Sequence, residues 1–212
     1  MKLIPLKITF LSPFFYFSKI TSGGSITDEF VGDIALNYAL NSVLKLKNFN
    51  TEYKEKPQYS ELRNLPFSFT IGKPIQVTRT PIYIRNTLFM DGGPHADTIE
   101  QSGRNLFKNY FLVQGLKPCS EFKTYLISKD DFNIKFPLCI RIGTGKECLA
   151  KLEKINSKPN DDIWLNYYTL KKIFNLEIPL YPGFNVEYKM NNYLILRNVN
   201  EGILNKIFSG VF

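Results

Sequence analysis

The order of hydrophobic periodicities at the start of this chain restricts its fold more than any other feature. Ile4, Leu6, Ile8 and Phe10 alternate with Pro5, Lys7 and Thr9, which puts one apolar set on one face of a strand. From about Thr27 to Leu46 the pattern turns helical: Thr27 can cap, Asp28 and Glu29 favour the positive end, and Lys45 and Lys47 sit near the negative end. Phe30, Ile34, Ala35, Tyr38 and Val43 supply its expected apolar face. Strands then resume with Phe67, Phe69 and Ile71, and with Ile75 and Val77, separated by Gly72-Lys73-Pro74, which reads as a turn.

Strand, helix, strand, strand suits an α+β sheet with helices on one face, and a ferredoxin-like core fits that order. The polar stretch Asn48 to Asn64 reads as a surface connection. Further strands are expected at Pro81 to Arg85, Phe122 to Ile127, Leu138 to Ile142 and Cys148 to Lys154. The last third offers a short helix near Tyr168 to Phe174. It also offers a hairpin in which Phe184, Val186 and Tyr188 alternate before a turn at Met190-Asn191-Asn192. With no internal repeat or linker, residues 1–212 read as one domain, with an insertion at about 86–110 and additional strands at about 158–212.

The chain carries 27 Lys and Arg against 19 Asp and Glu, a net charge of +8, and such an excess concentrates polyanions around a protein. A basic surface kept for solubility is the bland alternative. Cys119, Cys139 and Cys148 form no CxxC pair, and an odd count argues against a secreted disulfide framework. Leu11 to Phe17 is apolar but broken by Ser12 and Pro13, and no run approaches the roughly 20 apolar residues of a membrane span. A cytoplasmic protein without a membrane partner is expected.

Phe14, Phe15, Tyr16 and Phe17 form an aromatic cluster, for which burial is favoured over stacking on bases. Gly143-Thr144-Gly145-Lys146 resembles a phosphate cradle but has Ile140 and Glu147 where a Walker loop needs Gly and Ser or Thr. A β-turn, or a backbone touching an RNA phosphate, fits better. His95, the single histidine, lies in the Gly-rich loop Asp91-Gly92-Gly93-Pro94-His95. Lacking partners for a triad or a zinc site, it reads as an exposed loop residue, so no catalytic residue, metal or cofactor is assigned. Asp161 and Asp162 read as a solvated turn. The more informative stretch is Arg79 to Lys117, where Arg79, Arg85, Arg104, Lys108 and Lys117 interleave with Tyr83, Asn86, Asn105, Tyr110 and Phe111. Cations for phosphates, amides for base edges and rings for unpaired bases make an RNA-binding candidate. A strand with a solvated basic edge is its plain alternative.

Ile8-Thr9-Phe10-Leu11-Ser12-Pro13 and Asp33-Ile34-Ala35-Leu36-Asn37-Tyr38-Ala39-Leu40 resemble the small Cas-five-type subunit (Csc-one family) of type I-D CRISPR effector complexes. So do Tyr83-Ile84-Arg85-Asn86-Thr87-Leu88-Phe89, Ser102 and Asn105, Lys117-Pro118-Cys119-Ser120-Glu121-Phe122, and Arg141-Ile142-Gly143 before Lys146, in the same order. The resemblance covers the first three quarters of the chain and fades after about Ser157. It implies a RAMP-superfamily protein with a ferredoxin-like (RRM-like) core, a projecting β-hairpin thumb around Asp91, Gly92, Gly93 and His95, and extra C-terminal strands. Such a subunit holds the 5′ handle of the CRISPR RNA (crRNA) beside a Cas-seven-type backbone subunit and a Cas-ten-like large subunit, with target DNA near the PAM, and need not be an enzyme. The residues expected to meet RNA are Arg79, Arg85, Asn86, Arg104, Asn105, Lys108, Lys117 and Lys146.

Overall fold

In the computed structural model, the first strand's alternation buries Leu6, Ile8 and Phe10 completely. The structure describes residues 1–16, 19–21, 24–47, 49, 59–86, 110–156, 161–176, 185–190, 192–208 and 211, with 19–21, 85–86 and 110–111 described by backbone alone. In chain order the elements are β1 (Lys2–Phe10), β2 (Lys19–Thr21), β3 (Gly24–Ile26), α1 (Asp33–Leu44), β4 (Phe67–Phe69), β5 (Lys73–Gln76), β6 (Tyr83–Asn86) and β7 (Tyr110–Gln114). There follow β8 (Glu121–Ser128), β9 (Leu138–Ile142), β10 (Cys148–Lys154), β11 (Ile163–Asn166), a π-helical turn at Thr169–Ile173, β12 (Asn185–Met190), β13 (Tyr193–Val199) and α2 (Glu201–Phe208).

The molecule is a mixed α+β protein built on antiparallel sheet. β1 lies between β8 and β10, antiparallel to both, in the order β4-β8-β1-β10-β9, with β5 also on β8. A second sheet has the order β11-β13-β12 and a third β2-β3-β7-β6. One buried cluster takes in Ile8, Leu40, Phe122, Leu152, Leu165 and Leu204, so the first sheet, α1, the β11–β13 sheet and α2 share a core.

Three local expectations are corrected. The helix begins at Asp33, not Thr27, because residues 27–31 already have tertiary partners. Thr27 N–H donates to Gln114 O at 2.9 Å, Thr27 Oγ1 both accepts from Tyr16 N–H and donates to Tyr16 O, and Val31 bridges Gly72. The helix cap is Gly32, without a side-chain bond. Its buried stripe runs through Ile34, Leu36, Asn37, Leu40 and Asn41, leaving Ala35 and Val43 exposed. Phe30 packs instead with Ile71, Trp164 and Ile195. The two asparagines are tolerated there because both are bonded: Asn37 Oδ1 accepts from Phe69 N–H at 3.0 Å, and Asn41 Nδ2 donates to Lys47 O at 2.9 Å.

Gly72-Lys73-Pro74 is not a turn. β4 and β5 run the same way along β8, with Phe69 opposite Leu126 and Lys73 opposite Lys123, so an extra residue bulges out between them. Gly72 is required by a close approach, since a Cβ there would stand 2.7 Å from Val31 Cβ.

Asp161 and Asp162 are not a solvated turn either. Asp161 pairs with Lys123 and accepts from Tyr125 Oη at 2.7 Å; Asp162 pairs with Lys73 at 2.9 Å and accepts from Trp164 Nε1 and Asn198 N–H. Burial opposes ionisation of Asp162, but the Lys73 ammonium and those N–H donors outweigh it and hold its carboxyl below the usual range. The pair thus rivets β11 to β5 and β8.

Candidate nucleic-acid interface

A short segment after β1 joins two of the stretches that the sequence singled out. Phe14 exchanges both backbone hydrogen bonds with Leu116 at 2.9 Å, and Phe15 O accepts from Thr144 N–H at 2.8 Å. Residues from two distant parts of the chain, Gly115 to Lys117 and Gly143 to Lys146, therefore meet on one segment. Phe14 is buried against Phe10, ring centroids 4.5 Å apart. Phe15 packs edge-on against Tyr83 at 5.9 Å, over Gly115, where a Cβ would come within 2.5 Å of the Phe15 ring. Tyr83 remains 47% exposed, so this aromatic pair presents a ring to solvent.

Three exposed cations lie on, or two residues before, the stretches joined to this segment. Lys117 follows the strand pairing of residues 78–80 with 115–117, fixed by Lys117 N–H to Thr78 O at 2.7 Å and Thr80 N–H to Gly115 O at 3.0 Å. Lys146 ends the 143–146 turn, in which Gly143, Gly145 and Lys146 all have positive φ. The amides of Thr144, Lys146 and Glu147 bond Phe15 O, Gly143 O and Thr144 O, so the turn offers its lysine side chain, not a nest of free N–H groups. Arg141, which the site expectation missed, joins Lys146 in a groove of about 430 Å³ facing Ala35, Ser42 and Val43 of α1. Its signal was present: β9 buries Ile140 and Ile142, so Arg141 between them must face out. Among the described residues, none of Lys117, Arg141 and Lys146 makes an ion pair.

Arg79 is placed differently. Its Nη1 donates to Thr27 O at 2.9 Å and its Nη2 pairs with Glu29 at 3.0 Å, which ties it to the start of residues 27–31. Arg85 and Asn86 are located by backbone only, opposite Phe111 and Tyr110 in the antiparallel β6–β7 ladder. That ladder leads into residues 87–109. Arg104, Asn105, Lys108 and the loop residues Asp91, Gly92, Gly93 and His95 lie outside the described residues. The other face of the same sheet exposes Ile26, Ile84 and Leu112, with Ile84 opposite Leu112.

Cys148 is buried, which pushes its thiol up to about 12, and it lies 3.4 Å from Ser12 O; Cys119 and Cys139 are exposed and free. Among the described residues no group of three or more His, Cys, Asp and Glu side chains could hold a metal ion, and no helix is long and apolar enough to cross a membrane.

These features define a mixed α+β protein, mostly of antiparallel sheet, with exposed cations on two elements joined to one aromatic segment. The family model for the type I-D CRISPR-associated protein Cas5/Csc1 matches residues 1–199, and the chain belongs to that family. The match runs past Ser157, where the resemblance in sequence fades, through β11, β12 and β13. No curated protein matches the chain. Among solved structures, it is similar to a chain of the type III-B Cmr-beta complex bound to cognate target RNA and AMPPnP, with 11% identity, TM-score 0.47, and 98% of this chain and 90% of that chain covered. A second Cmr-beta complex bound to cognate target RNA aligns at TM-score 0.41 with 11% identity and the same coverage.

Proposed function

We propose that this member of the type I-D family is a non-catalytic subunit that holds the 5′ handle of the crRNA and nucleates assembly of the effector complex in the cytoplasm. The observation that carries the reading is that exposed Lys117 and Lys146 stand on the two elements hydrogen-bonded to the Phe14–Phe15 segment, where Phe15 packs on exposed Tyr83. Cations without carboxylate partners beside an exposed ring suit an unpaired strand, with phosphates on the cations and a base on the ring. The β6–β7 ladder fits the base of a thumb, and the sequence between the two strands includes Arg104, Asn105 and Lys108. A ferredoxin-like RAMP core suits the order β4-β8-β1-β10 with α1 between β1 and β4. The exposed face of Ile26, Ile84 and Leu112 suits a protein neighbour, a Cas-seven-type backbone or Cas-ten-like large subunit, with target DNA near the PAM beyond it.

The double variant Lys117→Ala/Lys146→Ala is expected to bind repeat-derived handle RNA more weakly. Its log–log salt slope should be shallower by about 0.7 for each phosphate that the variant no longer neutralises. Arg85→Ala and Arg104→Ala should act in the same direction. Affinities that match wild type at every salt concentration would remove these assignments. Repeat RNA incubated with the protein in chelator is expected to stay intact; a discrete product that vanishes in His95→Ala would make the chain a ribonuclease instead.

A further inference from the structure

The hairpin of β12 and β13 carries an apolar alternation that does not go into the core. Val186 and Tyr188 are 43% and 65% exposed, on a strand at the edge of its sheet. Register places Tyr188 opposite Leu194, and the π-helical turn at 169–173 approaches the same face. Between them lies a pocket of about 260 Å³ whose walls include Tyr167, Tyr168, Tyr188 and Tyr193, with Lys171 and Lys172 at the side.

Three properties of this pocket narrow what it can take. Its apolar wall is built mainly from aromatic rings rather than branched aliphatic side chains, so it suits a flat partner more than a leucine or isoleucine knob. Among the described residues no Asp or Glu lines it, and Glu187, the nearest acid in sequence to Tyr188, is paired with Arg197 and Lys189. Lys171 and Lys172 are exposed and, among the described residues, make no ion pair; Lys171 Nζ sits 5.7 Å from the Tyr167 ring centre. The volume is below the roughly 300–1,000 Å³ of sites for drug-sized ligands and suits one planar ring system with an anion at its rim. Asn192 adds an amide that can meet a base edge.

We infer that this tyrosine–lysine pocket is a second nucleic-acid contact, which stacks one unpaired base of a single strand on Tyr188 and holds its flanking phosphates with Lys171 and Lys172. It uses different elements from the Phe15–Tyr83 surface and does not depend on the handle reading. An unpaired base can come from RNA or from a displaced DNA strand, and the chemistry is shared.

The test uses the full chain and fluorescent oligo(U) RNA and oligo(dT) DNA of about 12 nucleotides, a length within the site sizes of single-strand binders. Lys117→Ala/Lys146→Ala serves as the background, so that only the second site is read. Tyr188→Ala is expected to weaken binding about tenfold, Tyr188→Phe to retain it, and Tyr188→Leu to behave as the alanine variant. Lys171→Ala/Lys172→Ala should flatten the remaining salt dependence. Loss on RNA alone, on DNA alone or on both supports the pocket and identifies its strand. Unchanged binding of both oligonucleotides by Tyr188→Ala overturns it. So does a Tyr188→Ala variant that releases another effector subunit while binding both strands normally, since the pocket is then a protein socket. Tyr188 is largely exposed, and circular dichroism of each variant confirms that it folds. Failure of the Lys117 and Lys146 variants alongside success here would reject the handle surface and leave this pocket standing.

Discussion

Replacing Asn166 with Ala is expected to lower the free energy of unfolding by about 3 kcal/mol, read as a fall in urea midpoint with an unchanged slope. Asn166 is 2% exposed and its one amide fills every bonding position it has. Nδ2 donates to Asp33 Oδ1 at 3.0 Å and to Asn192 O at 2.9 Å, while Oδ1 accepts from Tyr168 N–H at 3.1 Å and Leu194 N–H at 3.4 Å. Alanine would leave a buried carboxylate short of a donor and backbone groups at the start of β13 and the π-helical turn without partners. Each such orphan costs about 1–3 kcal/mol. A loss below about 1 kcal/mol, the net worth of an ordinary hydrogen bond, would show that water or repacking replaces the network.

The partner in that network titrates. Burial raises the Asp33 carboxyl from 3.8 to about 6, against the opposing hydrogen bonds from Thr169 Oγ1, Asn166 Nδ2 and the backbone amides at the helix start. Because the folded-state pKa is the higher one, the native protein holds the proton more tightly than the unfolded chain. This contribution is complete below the unfolded pKa and is lost as pH rises through the folded one. A shift of that size corresponds to about 3 kcal/mol. Asp33→Asn keeps both side-chain bonds available, since an amide nitrogen can donate to Thr169 Oγ1, and removes the titration. The stability difference, variant minus wild type, is therefore expected to grow by about 3 kcal/mol between about pH 3 and about pH 7. Asp130, Asp162 and Glu153, whose carboxyls lie below their ordinary values, give opposite slopes common to both proteins. A difference that stays flat across the range would mean that the Asp33 carboxyl ionises as readily in the folded protein as in the unfolded chain, so that burial does not raise it.

The elements legible in the sequence are those whose pattern is enforced by one buried face. β1 stands where alternation put it, β8, β9 and β10 lie where strands were expected, and the β12–β13 hairpin brackets its expected turn. Phe14 is buried, as its aromatic cluster implied, and Arg141 faces out between two buried isoleucines. α2 carries the same kind of signal, its buried Leu204 and Phe208 lying four residues apart, but its eight residues make that signal short.

Elsewhere a distant partner overrode the local signal. Thr27 has the chemistry of a helix cap, but its hydroxyl is taken by Tyr16 and its amide by Gln114. Gly72-Lys73-Pro74 has turn composition, but β8 pairs with both of its flanks. Asp161 and Asp162 look like a solvated pair until Lys73 and Lys123 are brought to them. For the candidate site the sequence supplied the excess of positive charge and most of the residue types, without saying which cations remain unpaired.

That division has one cause. Periodicity and composition act over a few residues, so the chain alone determined its strands, its apolar faces and its basic character. Pairing of charges and buried amides depends on distance in space. Only the tertiary structure decided that Arg79 turns to Thr27 and Glu29 while Lys117 and Lys146 stay open, and that four tyrosines with two lysines gather beside β12.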